Sequence, residues 1–350
     1  MNLRTIFSIF PPRVASRLIS AVIALCISLG GIKCFSILTG GSEDTPQIND
    51  GEVSAGTENN DTGNKTQTNG SELPATKPQS TSKPQLFDTQ STDPISTLIT
   101  SESAVMCAID EKRVIAAKEL KKQFGSGDIS VFMTALIVSE KLSKGNITDS
   151  EEAVCPAGAA RKANYSLSSD VLSVGKRMSI RELLTCMLYQ RGSSFAYTLA
   201  VHISGSEESF VNEMNVKAKE YGMTDTVFTN VCGAEDKEAV TSAYDTLILL
   251  SKFLEDARLR KIFCSDEKIT VGMSSQSSVY LTVSNDFFET HCTPWQAKAD
   301  GIIGGKTGAL GYLQWAIVLF SDGDNEYAVA VLGSLSPFSD ALKIYAEYRP

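Results

Sequence analysis

Hydrophobic and polar positions divide the chain into three stretches with different patterns. Leu18 to Ile32 (LISAVIALCISLGGI) runs fifteen residues without a charge. Extended to Leu38 it spans about 31 Å as a helix, enough to cross the hydrocarbon core of a bilayer. Residues 41–95 then hold only 8 hydrophobic positions in 55, too few to recover the entropy of ordering by burial. Beyond them apolar residues return with regular spacing.

In that last stretch the pattern predicts a mixture of strands and helices. Ser103–Ile109 and Arg113–Ala117 read as two strands around a turn at Asp110–Lys112, a hairpin. Ile129, Phe132, Met133, Leu136 and Ile137 repeat at helical spacing within Ile129–Leu142. Further helices are expected at Ile180–Tyr189, Ala196–Ile203, Glu207–Tyr221 (ending at Gly222) and Thr241–Leu254. Strands follow at Gln314–Phe320 and Tyr327–Leu332, then a closing helix over Asp340–Tyr348. A hairpin, a helical middle, late strands and a last helix make an α+β layering. No internal repeat is visible.

Charge sharpens the division. Residues 1–40 carry Arg4, Arg13, Arg17 and Lys33 with no acid, net +4; residues 41–95 carry nine acids and three lysines, net −6. Taken from a total of −9, these leave −7 for residues 96–350. Arginines ahead of the apolar run mark residues 1–17 as a cytoplasmic basic N-terminus, 18–39 as a transmembrane anchor or a cleaved signal peptide, and 40–98 as a disordered polar linker. Everything after the apolar run is then exported. No small-x-small cleavage site stands out, so a single-pass membrane protein with an extracytoplasmic domain (99–350) is expected, or a secreted one if cleavage occurs. An acidic balance argues against nucleic acid as a partner. Two histidines, His202 and His291, and the absence of a Cys-x-x-Cys pair argue against a metal site; no cofactor is implied.

Six blocks carry a family resemblance. MTALIVSE (133–140), MSIRELLTCML (178–188), GSEESFVNEMNVKAKEYGMTDTVFTN (205–230), TSAYD (241–245), GGKTG (304–308) and VAVLGS (329–334) occur in the order found in the D-alanyl-D-alanine carboxypeptidases, the low-molecular-mass penicillin-binding proteins. The chain resembles that family over nearly all of 100–348. The resemblance implies the penicillin-recognising serine-hydrolase (β-lactamase/transpeptidase-like) fold, a five-stranded antiparallel sheet beside a helical cluster. It also implies a cleft for peptidoglycan stem peptides ending in D-Ala-D-Ala. The family's additional C-terminal domain and trailing anchor are not recognisable, which leaves anchoring to the N-terminal helix.

The same resemblance locates three catalytic elements. A Ser-x-x-Lys at a helix start supplies the nucleophile and the lysine that activates it. Counting back from Met133-Thr134-Ala135 puts Asp128 in the nucleophile's place and Val131 in the lysine's. Asp128 also suits an N-cap for the helix beginning at Ile129. Neither Ser126 nor Ser130 has a lysine one turn away. The spacing does occur at Ser80/Lys83, Ser173/Lys176 and Ser265/Lys268; with 41 serines and 21 lysines in 350 positions, roughly 2.5 such pairs arise by chance. The family's Ser-x-Asn aligns with Arg191-Gly192-Ser193, where Ser193 or Ser194 can donate a hydrogen bond. Arg191 is either a solvated loop charge or a carboxylate ligand in the cleft. Lys306-Thr307-Gly308 matches the third element intact, with Ala309 next, whose N–H the family aims at the oxyanion. Lys306 and Thr307 are expected to share one terminal carboxylate.

Six cysteines in the domain (107, 155, 186, 232, 264 and 292) permit disulfides, while Cys107 and Cys186 fall on core-facing positions where a free thiol is expected. Both histidines are expected to be structural. The expectation for function is a carboxypeptidase-like protein of cell-wall metabolism that binds stem peptides and has lost catalysis. The alternative is an active serine-type carboxypeptidase. A β-lactamase needs the same Ser-x-x-Lys and is excluded with it.

Overall fold

Two nine-residue runs, LQWAIVLFS and EYAVAVLGS, are almost continuously apolar, as strands buried on both faces must be. They form the centre of a sheet in a computed structural model that describes residues 86–159, 172–190, 192–273, 279–291, 297, 300–310 and 313–350. In chain order the elements begin with β1 (Asp93–Pro94), β2 (Ser103–Ala108), β3 (Arg113–Lys118) and β4 (Phe124–Gly125). A 3-10 turn at Gly127–Ile129 leads into α1 (Ser130–Ser143). There follow β5 (Glu152–Val154), β6 (Arg177–Ser179), α2 (Ile180–Tyr189), α3 (Ser193–Ser204), α4 (Glu207–Tyr221), β7 (Val240–Thr241) and α5 (Ala243–Glu255). The last part holds α6 (Ala257–Phe263), β8 (Ile269–Met273), β9 (Val279–Val283), α7 (Asp286–His291), β10 (Ile302–Leu310), β11 (Leu313–Ser321), β12 (Glu326–Ser334) and α8 (Pro337–Tyr348).

The main sheet has the order β1-β3-β2-β12-β11-β10, so β10 is an edge strand. Five strands pair antiparallel, as expected. The sixth, β1, is a correction: a two-residue strand parallel to β3, with Asp93 opposite Ala116. The expected linker also ends earlier than residue 98, because Phe87 is 1% exposed in the core and Asp88 exchanges backbone hydrogen bonds with Lys112 and Val114. Alternation along the strands gives the sheet two apolar faces. One face, including Val105, Cys107, Ile317 and Leu319, packs on the helical cluster. The other, including Met106, Ala116, Val318 and Phe320, is covered by α7 and α8, where Tyr345 stacks on Phe320 at 3.9 Å between centroids.

Local chemistry fixes the helix ends. Ser179 and Glu182 close a capping box at the start of α2, and α4 stops at Gly222, whose φ of 79° favours glycine. Cys107 and Cys186 are buried thiols outside any disulfide among the described residues. Among the described residues no helix is long and apolar enough to cross a membrane. Residues 18–38, the polar stretch to residue 85, Arg191 and Cys292 lie outside those residues.

Candidate active site

Asp128 does not cap a helix. The turn Gly127–Ile129 precedes α1, whose N-cap is Ile129, with no side-chain cap. The Asp128 carboxylate instead accepts a 2.8 Å hydrogen bond from Trp315 Nε1. Trp315 is fully buried on β11, opposite Gly308. Its indole N–H needs an acceptor there, and the carboxylate supplies one. Two glycines make room for this pair. A Cβ on Gly308 would collide with Asp128 Oδ1 and the Trp315 ring, and a Cβ on Gly233, whose φ is 79°, would collide with the Asp128 backbone. The Gly233 loop is itself held by Asn230, whose Oδ1 accepts from Gly233 N and Ala234 N at 2.7 and 2.9 Å. The aspartate is therefore built into the joint between the helical cluster and the edge strand.

Strand alternation separates the two residues expected to share a carboxylate. Lys306 and Gly308 point to the helical cluster, and Gly305 and Thr307 point to the α7 face, where a Cβ on Gly305 would meet the Phe287 ring. Lys306 is 4% exposed, and its ammonium donates to Leu188 O at 2.7 Å. That carbonyl belongs to the last turn of α2, whose unpaired acceptors and negative dipole end suit a cation. Thr307, at 7% exposure, places its hydroxyl 2.9 Å from His291 Nε2.

The remaining expected positions are mostly enclosed. Val131 is 4% exposed, Ser126 2%, and Ser130 donates to Gly127 O at 3.2 Å. Ser193 and Ser194 open α3 and are buried. Ala309 is half-buried next to Gly308. Ser265 and Lys268 lie between α6 and β8, and Lys268 pairs with Glu289 at 3.1 Å.

Sequence reasoning missed His291. It ends α7, hydrogen-bonds the surviving motif and packs against the rings of Phe287 and Phe338 at 5.8 and 5.1 Å. No spacing pattern marks it; its only signal is that it is one of two histidines upstream of Lys-Thr-Gly. His202 pairs with Glu151 at 2.8 Å, away from β10. Cys264 approaches Gly304, but burial pushes its thiol up to about 11, so it is protonated at neutral pH and no ready nucleophile. Among the described residues no cluster of three or more His, Cys, Asp or Glu side chains can hold a metal ion. Behind the end of α2 lies a recess of about 350 Å³ lined by residues including Tyr189, Ile262 and Ser265.

With this geometry in place, likeness to known proteins becomes informative. The chain is 28% identical over 238 residues to the D-alanyl-D-alanine carboxypeptidase DacF of Bacillus subtilis, which covers 68% of this chain and 58% of that relative. A mutant of the Streptomyces K15 DD-transpeptidase superposes with a TM-score of 0.63 at 20% identity, covering 71% of this chain and 98% of that one. The D-alanyl-D-alanine carboxypeptidase of Mycobacterium tuberculosis H37Rv gives 0.60 at 18%, covering 73% and 94%. The fold is thus the penicillin-recognising serine-hydrolase fold that the motifs imply. The family model described as D-alanyl-D-alanine carboxypeptidase matches residues 88–312, and the chain belongs to that family.

Proposed function

We propose that this protein is an exported, membrane-tethered relative of the D-alanyl-D-alanine carboxypeptidases that binds stem peptides ending in D-Ala-D-Ala without hydrolysing them. The observation that carries this reading is Asp128. Acyl transfer in the family needs a hydroxyl whose proton a nearby amine removes. Asp128 has no hydroxyl and is engaged by Trp315, while Val131 one turn on has no group that moves a proton. An active serine-type carboxypeptidase is the competing reading, favoured by family membership alone. It requires Ser126 or Ser130 to react, yet Ser126 is 2% exposed and Ser130 donates to its own turn. What supports retained binding is the intact Lys306-Thr307-Gly308-Ala309 on β10, the last strand of the sheet among the described residues, where a peptide backbone can add.

Incubation of the full-length chain with a fluorescent penicillin tests the reading. No labelled band surviving denaturation and no D-alanine released from a stem-peptide mimic are expected; a labelled band sinks the impaired-enzyme reading, and its mapped adduct identifies the nucleophile. The N-terminus of the same preparation reports the tether. A start near residue 1 in the membrane fraction is expected, and a start between residues 30 and 50 means a cleaved signal.

A further inference from the structure

Thr307 points to the α7 face of β10, opposite Ala316. Its hydroxyl lies 2.9 Å from His291 Nε2, and the imidazole is fixed by the Phe287 and Phe338 rings. A threonine hydroxyl has one hydrogen and two lone pairs. If it donates to an unprotonated Nε2, only lone pairs remain for a ligand, and these repel a carboxylate. If Nε2–H donates to the threonine, the hydroxyl hydrogen is free for the ligand. Imidazolium carries a hydrogen on both nitrogens, so protonation enforces the second arrangement and adds a positive charge beside the hydroxyl.

We propose that His291 is a positioning residue for the ligand's terminal carboxylate, acting through the Thr307 hydroxyl and strengthening recognition when it is protonated. The proposal rests on the peptide-binding reading above and specifies how that site is regulated. Among the described residues, charged groups on the elements packed around the ring are few. On α7 itself, Glu289 pairs with Lys268, and Asp286 accepts from the Thr290 hydroxyl. On β10, Lys306 points to the opposite face, where it donates to Leu188 O. On α8, Asp340 is buried against Thr100 and Ser334, with Lys343 at 3.8 Å. None of these groups duplicates the donor that His291 brings to Thr307.

The test is calorimetric titration of the full-length chain with an N-acetylated peptide ending in D-Ala-D-Ala, and with its C-terminal amide, from pH 5 to 8. Affinity of the wild type for the acid should rise about five-fold as the pH falls through the range where imidazoles titrate, with the amide unresponsive. His291→Gln keeps a hydrogen-bonding side chain but no titration, and should bind the acid as the wild type does at pH 8, at every pH. His291→Phe keeps the ring packing but not the hydrogen bond, and should bind the acid more weakly throughout. Thermal unfolding of each variant reports its folding. A flat wild-type profile, or a pH dependence retained in His291→Gln, overturns the role of His291 while leaving peptide binding intact. No preference for acid over amide at any pH overturns both readings.

Discussion

Asp128, in the place that the motif spacing gives the family's nucleophile, serves the fold. Its carboxylate is the acceptor for the indole N–H of fully buried Trp315, so Asp128→Ala should leave that donor unsatisfied at a cost of about 1–3 kcal/mol. Asp128→Asn keeps an acceptor and should cost less, on the order of 1 kcal/mol or below. Urea unfolding of the two variants checks the order, and equal stability would mean that the hydrogen bond contributes nothing. Asp128→Ser shortens the side chain and gives no base at Val131, so it should weaken the joint and still form no penicillin adduct. At this scale the altered motif is read from spacing: counting back from Met133-Thr134-Ala135 assigns Asp128 and Val131 to the places of the serine and the lysine. Two things stayed hidden. The partner of Asp128 lies 187 positions away on β11, which a local capping rule cannot see. His291 belongs to no motif, and only the register of β10 against α7 brings it to Thr307.

The start of α5 shows what one element requires of its neighbours. Ser242 caps it by accepting from Asp245 N, while Asp245 Oδ2 accepts from Asp225 N and the Thr226 hydroxyl. The other oxygen is buried with no hydrogen-bond partner among the described residues. Burial pushes the Asp245 carboxyl up to about 6, above its unfolded value near 3.8. A carboxyl raised on folding stabilises most fully below the unfolded value and loses that contribution as pH rises through the folded one. From pH 4 to 7.5 the wild type should therefore lose about 2–3 kcal/mol relative to Asp245→Asn. Unfolding midpoints of both proteins across that range measure it, and parallel profiles would show that Asp245 stays ionised at no cost. Elements of this kind were legible when they carried end signals: α2 with its Ser179–Glu182 box and α4 with Gly222 fall where the spacing puts them. The hairpin β8–β9 and the short helices α6 and α7 were not legible. Five to seven residues are too few for a period to emerge.

At the largest scale the described domain, from residue 86 on, is a sheet with two apolar faces, one under the helical cluster and one under α7 and α8. The candidate site lies on β10, the last strand of that sheet among the described residues. The layering was legible because β2, β3, β11 and β12 alternate or run apolar over six to nine residues. The N-terminal limit was not, since Phe87 sits among polar residues that dilute its signal. Its role appears only in three dimensions. Phe87 fills the core, Asp88 pairs across to Lys112 and Val114, and Ile95 N donates to Ala117 O at 3.0 Å. Ser96 N donates to the Tyr348 hydroxyl at 2.7 Å, tying this strap to the last helix. A chain beginning at residue 99 should thus lose the burial of a phenylalanine, about 2–3 kcal/mol, and several backbone hydrogen bonds worth about 1 kcal/mol each. Against a chain beginning at residue 86, its melting temperature should fall by on the order of 10 °C. Calorimetry of the two chains decides the matter: equal melting temperatures would show that the strap lies on the domain without holding it together.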